Sequence, residues 1–281
     1  MNFKTIAFYG AGMLGSGFVK SLRRQGYDVN VWNRTFEKAK ALEEVGAHAF
    51  QDAAQAALGA DIVHLCVRDE VAVDATLAAA LPGIATSVPI VDHTTVDVQS
   101  VAPRAARLHN SGYAFLHAPV FMGPPQAESA QGVMLASGPQ NTFDTLREHL
   151  ATMTGKVQYL GERVDLAAIY KLMGNAMILA VVGGLADVYT IAQAQGLTPE
   201  QAYELFSFYS LEGQITGRGK RMAQGEYSPT WTLEMADKDA RLMQAAAKGA
   251  ALPVVDAVET AMRERIARKL GDRDLGALAA R

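Results

Sequence analysis

The hexapeptide Gly10-Ala11-Gly12-Met13-Leu14-Gly15 follows directly on the apolar run TIAFY at 5–9. That junction constrains the fold more than any other stretch. In G-x-G-x-x-G the first glycine permits a tight turn, and the second lets a pyrophosphate approach the backbone. The third brings helix and strand together, while the helix N-terminus favours the phosphate charge. Alone the spacing is weak, because glycines are common in turns. Its place between a short strand and a helical segment from Gly12 to Arg24 supplies the confirming context.

Up to about residue 160 the chain keeps this alternation. DVNVWN at 28–33, DIVHLCV at 61–67 and VPIVDHT at 88–94 read as further strands, each followed by a helical segment. The first of these helices runs from about Thr35 to Glu44. Apolar strands in a βαβ rhythm predict a mostly parallel, doubly wound sheet with helices on both faces, an α/β class of Rossmann type. Two β-like pieces, GYAFLHAPV and GVMLAS, precede a helix around Phe143 to Met153. After Gly161 strand signals stop. A long helix is expected over Leu166 to Gln195, and Thr198-Pro199-Glu200 marks another helix start. Later helices are expected around Trp231–Lys248 and Pro253–Lys269. The expected division is a dinucleotide-binding domain, 1–161, and an all-helical substrate and dimerisation domain, 162–281.

The 281 residues carry a formal charge of −3, with 49% apolar and 20% charged residues. That is the profile of a globular chain, with no electrostatic reason to expect nucleic acid or an anionic membrane as partner. The single cysteine, Cys66, excludes an internal disulfide framework and fits a reducing compartment. No signal peptide precedes the first strand, so a cytoplasmic location is expected. Six histidines are scattered without metal-ligand spacing, and no metal is expected. The apolar stretch from Ala176 to Ala186 falls short of the roughly 20 residues a bilayer requires. It reads as a buried helix.

The end of the second strand bears on the choice of dinucleotide. NAD-binding chains usually carry an acid about 20 residues beyond the glycines. Here that position reads Trp32-Asn33-Arg34-Thr35, and Asp28 sits at the wrong end of the strand. Without the acid a 2′-phosphate is not repelled. Arg34 can make charge-assisted bonds to it and Thr35 can donate its hydroxyl. NADP is the expected cofactor.

In DLAAIYKLMGNAMI at 165–178, Lys171 and Asn175 lie four apart and share one helix face among apolar neighbours. A desolvated lysine has a lowered pKa, which suits proton transfer near neutral pH. A lysine snorkelling to the surface beside a helical asparagine accounts for the same pair.

Taken in order, the glycine loop, NRT at 33–35, DHTT at 92–95, APV at 118–120, the Lys171/Asn175 pair and KD at 238–239 resemble the β-hydroxyacid dehydrogenase family. Its relatives include 3-hydroxyisobutyrate dehydrogenase and the glyoxylate/succinic semialdehyde reductases. The resemblance spans nearly the whole chain. It implies a Rossmann domain, a helical domain, and hydride transfer between a nicotinamide and a small carbonyl or hydroxy compound. It makes Lys171 the acid/base, with Asn175 positioning it and the substrate oxygen. Thr95 would stand beside the nicotinamide, Cys66 and Val67 would line the cofactor cleft, and Lys238 would reach the cofactor. A homodimer or tetramer through the helical domains is implied as well.

One departure is local. The family usually follows Ala-Pro-Val with Ser-Gly-Gly, which receives a substrate carboxylate. This chain reads Val120-Phe121-Met122-Gly123, so a hydroxyl is gone and two bulky apolar side chains enter. Trp231, with Phe206 and Phe208, is expected to make the pocket more apolar or to belong to the core. Imine reductases share the architecture but generally lack the lysine; Tyr170 beside it keeps that alternative open. A non-catalytic NADP-binding module is the other alternative. The stretch after Gly161 is too short for the helical domain of a 6-phosphogluconate dehydrogenase.

Overall fold

The computed structural model describes residues 3–280. The chain divides into two compact units, Met1–Asn175 and Ala176–Arg281. The first unit is built on six parallel strands, β1 (Thr5–Tyr9), β2 (Asp28–Trp32), β3 (His48–Phe50), β4 (Ile62–Leu65), β5 (Ile90–Asp92) and β6 (Phe115–His117), in the order β3-β2-β1-β4-β5-β6. The strand order reverses between β1 and β4, the switch point of a Rossmann sheet. Among the connecting helices are α1 (Met13–Arg24), α2 (Phe36–Lys40), α3 (Ala53–Ala57), α4 (Glu70–Ala80) and α5 (Val98–Asn110). The doubly wound α/β fold expected from the sequence is present.

β1 shows why both faces are covered. Its side chains alternate, so Ile6 and Phe8 enter one core with Phe18, Val19 and Leu22 of α1. Ala7 and Tyr9 enter the other, with Ala53 of α3, Val73 and Leu77 of α4 and Val101 of α5. All four β1 side chains are fully buried, and a buried Ile or Phe contributes about 1.5–3 kcal/mol.

Beyond β6 comes a smaller sheet of β7 (Val120–Phe121), β8 (Val133–Ala136) and β9 (Lys156–Tyr159), with β8 antiparallel to β7 and parallel to β9. α6 (Pro124–Glu128) lies between β7 and β8, and α7 (Gln140–Ala151) between β8 and β9. β3 and β9 were not anticipated. They are short, and β9 alternates exposed and half-buried residues.

The long helix α8 (Leu166–Ala194) begins in the first unit and continues into the second. The second unit adds α9 (Pro199–Tyr203), α10 (Leu205–Phe208), α11 (Lys220–Ala223), α12 (Leu233–Ala246) and α13 (Pro253–Arg265). Its core gathers Leu233, Ala236, Ala240, Met262 and Ala277. The Thr198 hydroxyl accepts from the amide of Gln201, the cap expected at Thr198-Pro199. Asp187 of α8 accepts from the amides of Val254 (3.0 Å) and Val255 (2.8 Å), satisfying two free donors at the start of α13.

The expectation of a buried Ala176–Ala186 segment is corrected. Only 11% of the most apolar window of α8 is buried, with Met177 and Ile178 each 53% exposed and Leu179 74% exposed. Composition signalled burial, but this chain alone does not cover the surface. By length and hydropathy α8 could also cross a membrane. The half-buried Lys171 and Asn175 near its start and the buried, amide-bonded Asp187 interrupt its apolar course.

Candidate active site

A cavity of about 700 Å³ opens at the C-terminal ends of β1, β2, β4 and β5, and every residue lining it belongs to the first unit. The lining includes Gly10, Gly12, Met13, Leu14 and Gly15 after β1, and Asn33, Arg34 and Thr35 after β2. Cys66, Val67, Thr95, Val120, Met122 and Lys171 join them. These were expected as site residues. Lys38, Arg68, Thr76, His93, Thr94 and Pro124 were not, because single residues in helices and loops carry no spacing signal.

The glycine loop fits its expected use. Gly10 has φ +110°, and a Cβ on it would lie 2.1 Å from the Cys66 carbonyl oxygen. On Gly15 a Cβ would lie 2.0 Å from the Gly10 carbonyl oxygen, so the third glycine sets how closely α1 approaches the strand. Around Gly12, by contrast, nothing lies within 4 Å of that position. Gly12 is also the N-cap of α1, whose first turn has no side-chain cap and no acid. Free amides and the positive end of the helix dipole therefore meet open space lined by backbone, a cradle for an anion.

Asn33 joins two loops of this cradle. Its side-chain oxygen accepts from the Ala11 amide (3.1 Å), and its amide nitrogen donates to the Thr35 carbonyl (2.8 Å). Ala11 is buried and does not line the cavity. Arg34 and Thr35 are exposed beside it. Four cations line the cavity, Arg34, Lys38, Arg68 and Lys171, and no acid does among the described residues. Asp28 lies at the opposite end of β2, where it pairs with Arg23 at 3.2 Å.

On the β5 side, Asp92 accepts from the Thr94 amide (2.9 Å), and the Thr94 hydroxyl accepts from the Val67 amide (3.1 Å). The loops after β4 and β5 are thus tied together. Burial pushes the Cys66 thiol up to about 12, with the Asp92 carboxylate adding to it, so the thiol stays neutral. His93 belongs to a buried chain that no local sequence pattern signals. Its Nδ1 donates to the Ala118 carbonyl (2.8 Å), leaving Nε2 of the neutral ring to accept from His64 Nδ1 (2.9 Å). His64 Nε2 then accepts from His149 Nε2 (3.0 Å). Among the described residues no cluster suited to a metal ion exists.

Lys171 is half-buried, and desolvation holds its pKa below the ordinary lysine value. It has no ion-pair partner among the described residues; the Phe121 ring lies 4.4 Å from its Nζ, measured to the centroid. Phe121 backs the lysine without lining the cavity, and Gly123 caps α6, its amide donating to Gln126 Oε1. Asn175 is half-buried one turn after Lys171 and is not in the lining. Trp231 and Lys238 belong to the second unit. There Arg218 lies over the Trp231 ring at 5.9 Å, and Lys238 pairs with Asp239 at 2.7 Å. Phe208 is 79% exposed, so it is not a core residue of the described chain.

Two family models match the chain. The NAD binding domain of 6-phosphogluconate dehydrogenase matches residues 5–161, and the NAD-binding domain of NADP-dependent 3-hydroxyisobutyrate dehydrogenase matches 167–281. The chain is 31% identical over 247 residues to the cytokine-like nuclear factor N-PAC of Xenopus tropicalis, covering 85% of this chain and 45% of that one. It thus spans about half the length of that relative. An uncharacterized oxidoreductase of Shewanella frigidimarina is 30% identical, covering 98% of this chain and 97% of its own. The chloroplastic glyoxylate/succinic semialdehyde reductase 2 of Arabidopsis thaliana is 28% identical over 98% of this chain and 78% of its own. In fold, the chain is similar to an imine reductase from Pseudomonas sp., with a TM-score of 0.90 at 21% identity over 99% of this chain and 98% of that one. With both halves matched and the glycine cradle in place, the first unit binds a nicotinamide dinucleotide, and the chain belongs to the β-hydroxyacid dehydrogenase family.

Proposed function

We propose that this chain is an NADP(H)-dependent oxidoreductase that transfers a hydride between nicotinamide and a small carbonyl or hydroxy compound of the semialdehyde or 3-hydroxyacid type. The observation that carries this reading is the acid-free cavity lined by Arg34, Lys38, Arg68 and Lys171. β2 and β5 are three strand spacings apart, about 14 Å at ~4.8 Å each. A dinucleotide laid across the switch point spans such a distance, with its 2′-phosphate against Arg34, Thr35 and Lys38. Its pyrophosphate would meet the amides at Gly12, Met13 and Leu14. The nicotinamide end would reach Thr95 and Lys171. The similarity of the second half to an NADP-dependent dehydrogenase supports the phosphate.

The bound dinucleotide supplies the hydride to the carbonyl carbon; the protein orients and protonates. Lys171 as ammonium polarises the carbonyl oxygen and gives it a proton, and in the reverse direction its neutral amine takes that proton back. Asn175, one turn along the same helix face, would position the lysine and the substrate oxygen. Residues 1–161 would hold the cofactor. Residues 162–281, with Trp231 and Lys238, would serve substrate binding and dimerisation. A second copy of the chain would cover the exposed apolar side chains of α8, giving a homodimer or tetramer. Imine reduction is the second reading, favoured by the apolar Val120 and Met122 in the lining and by the likeness in fold to an imine reductase. An NADPH-oxidation screen over semialdehydes, neutral aldehydes, 2-keto acids and cyclic imines tests it. Turnover of carbonyls above imines supports the first reading; turnover of imines alone overturns it.

A further inference from the structure

Phe121 is held in place by two residues one turn apart on α8. Its ring lies 4.4 Å from Lys171 Nζ. It also occupies the space left by the absent side chain of Gly174, where a Cβ would stand 2.3 Å from Phe121 Cζ and 2.6 Å from Cε1. Its backbone is fixed too, because Phe121 pairs with Val133 across β7 and β8. An ammonium over its face and a missing side chain at its tip, both presented by α8, therefore hold a single ring orientation.

We propose that Phe121, seated on Gly174, sets the substrate class of this site. It reserves one face of the Lys171 ammonium and selects carbonyl compounds whose nearby substituent is uncharged and apolar over carboxylates of the same shape. The proposal rests on the reading of Lys171 as the proton donor in NADPH-dependent reduction, and it replaces the acid-bearing substrates of that reading with neutral carbonyl compounds. The face of an aromatic ring carries negative potential, which holds the ammonium from behind the cavity and competes with a substrate carboxylate for its charge. A carboxylate entering there loses hydration, and Val120, Met122 and Pro124 offer it no side-chain donor. Finally, Arg34 and Lys38 follow β2, three strands from β5, at the end assigned to the cofactor phosphate, and Arg68, which follows β4, is already paired with Asp69 at 2.7 Å. Of the two neighbouring hydroxyls, that of Thr94 accepts from Val67 and is hydrogen-bonded to the Asp92 carboxylate, which leaves Thr95 alone to serve an anion.

The test compares 4-methylpentanal with succinic semialdehyde, in which a carboxylate replaces the isopropyl group, using NADPH and the full chain. The native protein is expected to favour the neutral aldehyde in kcat/KM by about tenfold or more. Phe121→Ser should narrow that ratio by about tenfold, chiefly through a gain on the acid. Gly174→Ala, which must displace the ring, should narrow it in the same direction. A thermal-melting cycle reads the seat independently of turnover. Gly174→Ala should lower the melting temperature of the native chain and raise it in the Phe121→Ser background, where alanine's better helix propensity is free to act.

A native preference for succinic semialdehyde, or a ratio that neither variant moves, overturns the proposal while leaving the oxidoreductase reading intact. If neither aldehyde turns over, the NADP-loaded protein is titrated with 4-methylpentanol and 4-hydroxybutanoate by thermal shift. Tighter binding of the neutral alcohol, reversed by Phe121→Ser, then supports the specificity proposal and condemns the activity. Equal binding overturns both.

Discussion

His64 Nδ1 stands 2.9 Å from His93 Nε2, deep in the first unit and one hydrogen bond from the Ala118 carbonyl that fixes the direction of the whole chain. His93 and His64 each accept at one ring nitrogen and donate from the other, so both must be neutral, and burial disfavours charge on His149 as well. Burial pushes His93 and His149 down to about 4 and His64 well below its ordinary 6.5. In the unfolded chain they titrate near 6.5, so it binds more protons than the folded one as pH falls from 6.5 toward 4. Stability is then lost on acidification at up to ~1.4 kcal/mol per pH unit for each extra proton. Urea midpoints measured between pH 7 and pH 5 should fall steeply, above the range where ordinary carboxylates titrate. A flat profile there would show that the rings are not a neutral chain.

Arg34 is exposed at the end of β2 with no acid among the cavity-lining residues. If it meets the 2′-phosphate, Arg34→Ala removes a charge-assisted contact of about 1.5–3 kcal/mol, roughly 10- to 150-fold in NADPH affinity. NADH affinity should hardly change. Titration of both cofactors by fluorescence checks this, and an equal loss for both would place Arg34 outside the phosphate site.

Asn33 predicts a different signature. Asn33→Ala frees the Ala11 amide and the Thr35 carbonyl together, uncoupling the glycine loop from the loop that carries Arg34. Affinity for NADPH and for NADH should fall in parallel, each by about 5- to 30-fold, the worth of one or two neutral hydrogen bonds. Selective loss of NADPH alone would mean that Asn33 contacts the phosphate directly.

What the sequence made legible follows a physical rule. The glycine loop, β1, β2, β4 and β5 were readable because their signals are local: a spacing of glycines, and apolar runs bounded by turns. The NRT tripeptide was readable as an absent acid, although its asparagine proved to be a brace between loops. β3 and β9 were too short and too polar to stand out. The exposure of α8 was misread because apolar composition records what a surface seeks, not whether this chain alone covers it. The histidine chain and the Phe121–Gly174 seat join residues 29 to 85 positions apart, and no local pattern encodes such meetings. Both are products of topology: β4, β5 and α7 bring the rings together, and β7 lies against the first turns of α8.

Lys171 carries the most consequential prediction. It is half-buried, has no ion pair among the described residues, and lies below the ordinary lysine pKa because burial disfavours its charge. As proton donor in carbonyl reduction it must be an ammonium, so turnover in that direction should fall as pH rises through its depressed pKa. The oxidation direction needs the neutral amine and should rise over the same window. Lys171→Met keeps most of the apolar stem and removes the charge. It should leave NADPH binding nearly intact, since in the proposed mode the pyrophosphate and phosphate contacts would come from the loops after β1 and β2. Turnover on the best carbonyl should fall by about 10²–10⁴, the range for losing a positioned acid/base, and the pH limb should vanish with it. A melting temperature at or above the native value would accompany this, because an unpaired, half-buried charge has been removed. If the variant keeps more than about a tenth of native turnover, the proton comes from another group. Tyr170, 48% exposed beside it, is then the first to replace, and imine reduction becomes the better reading.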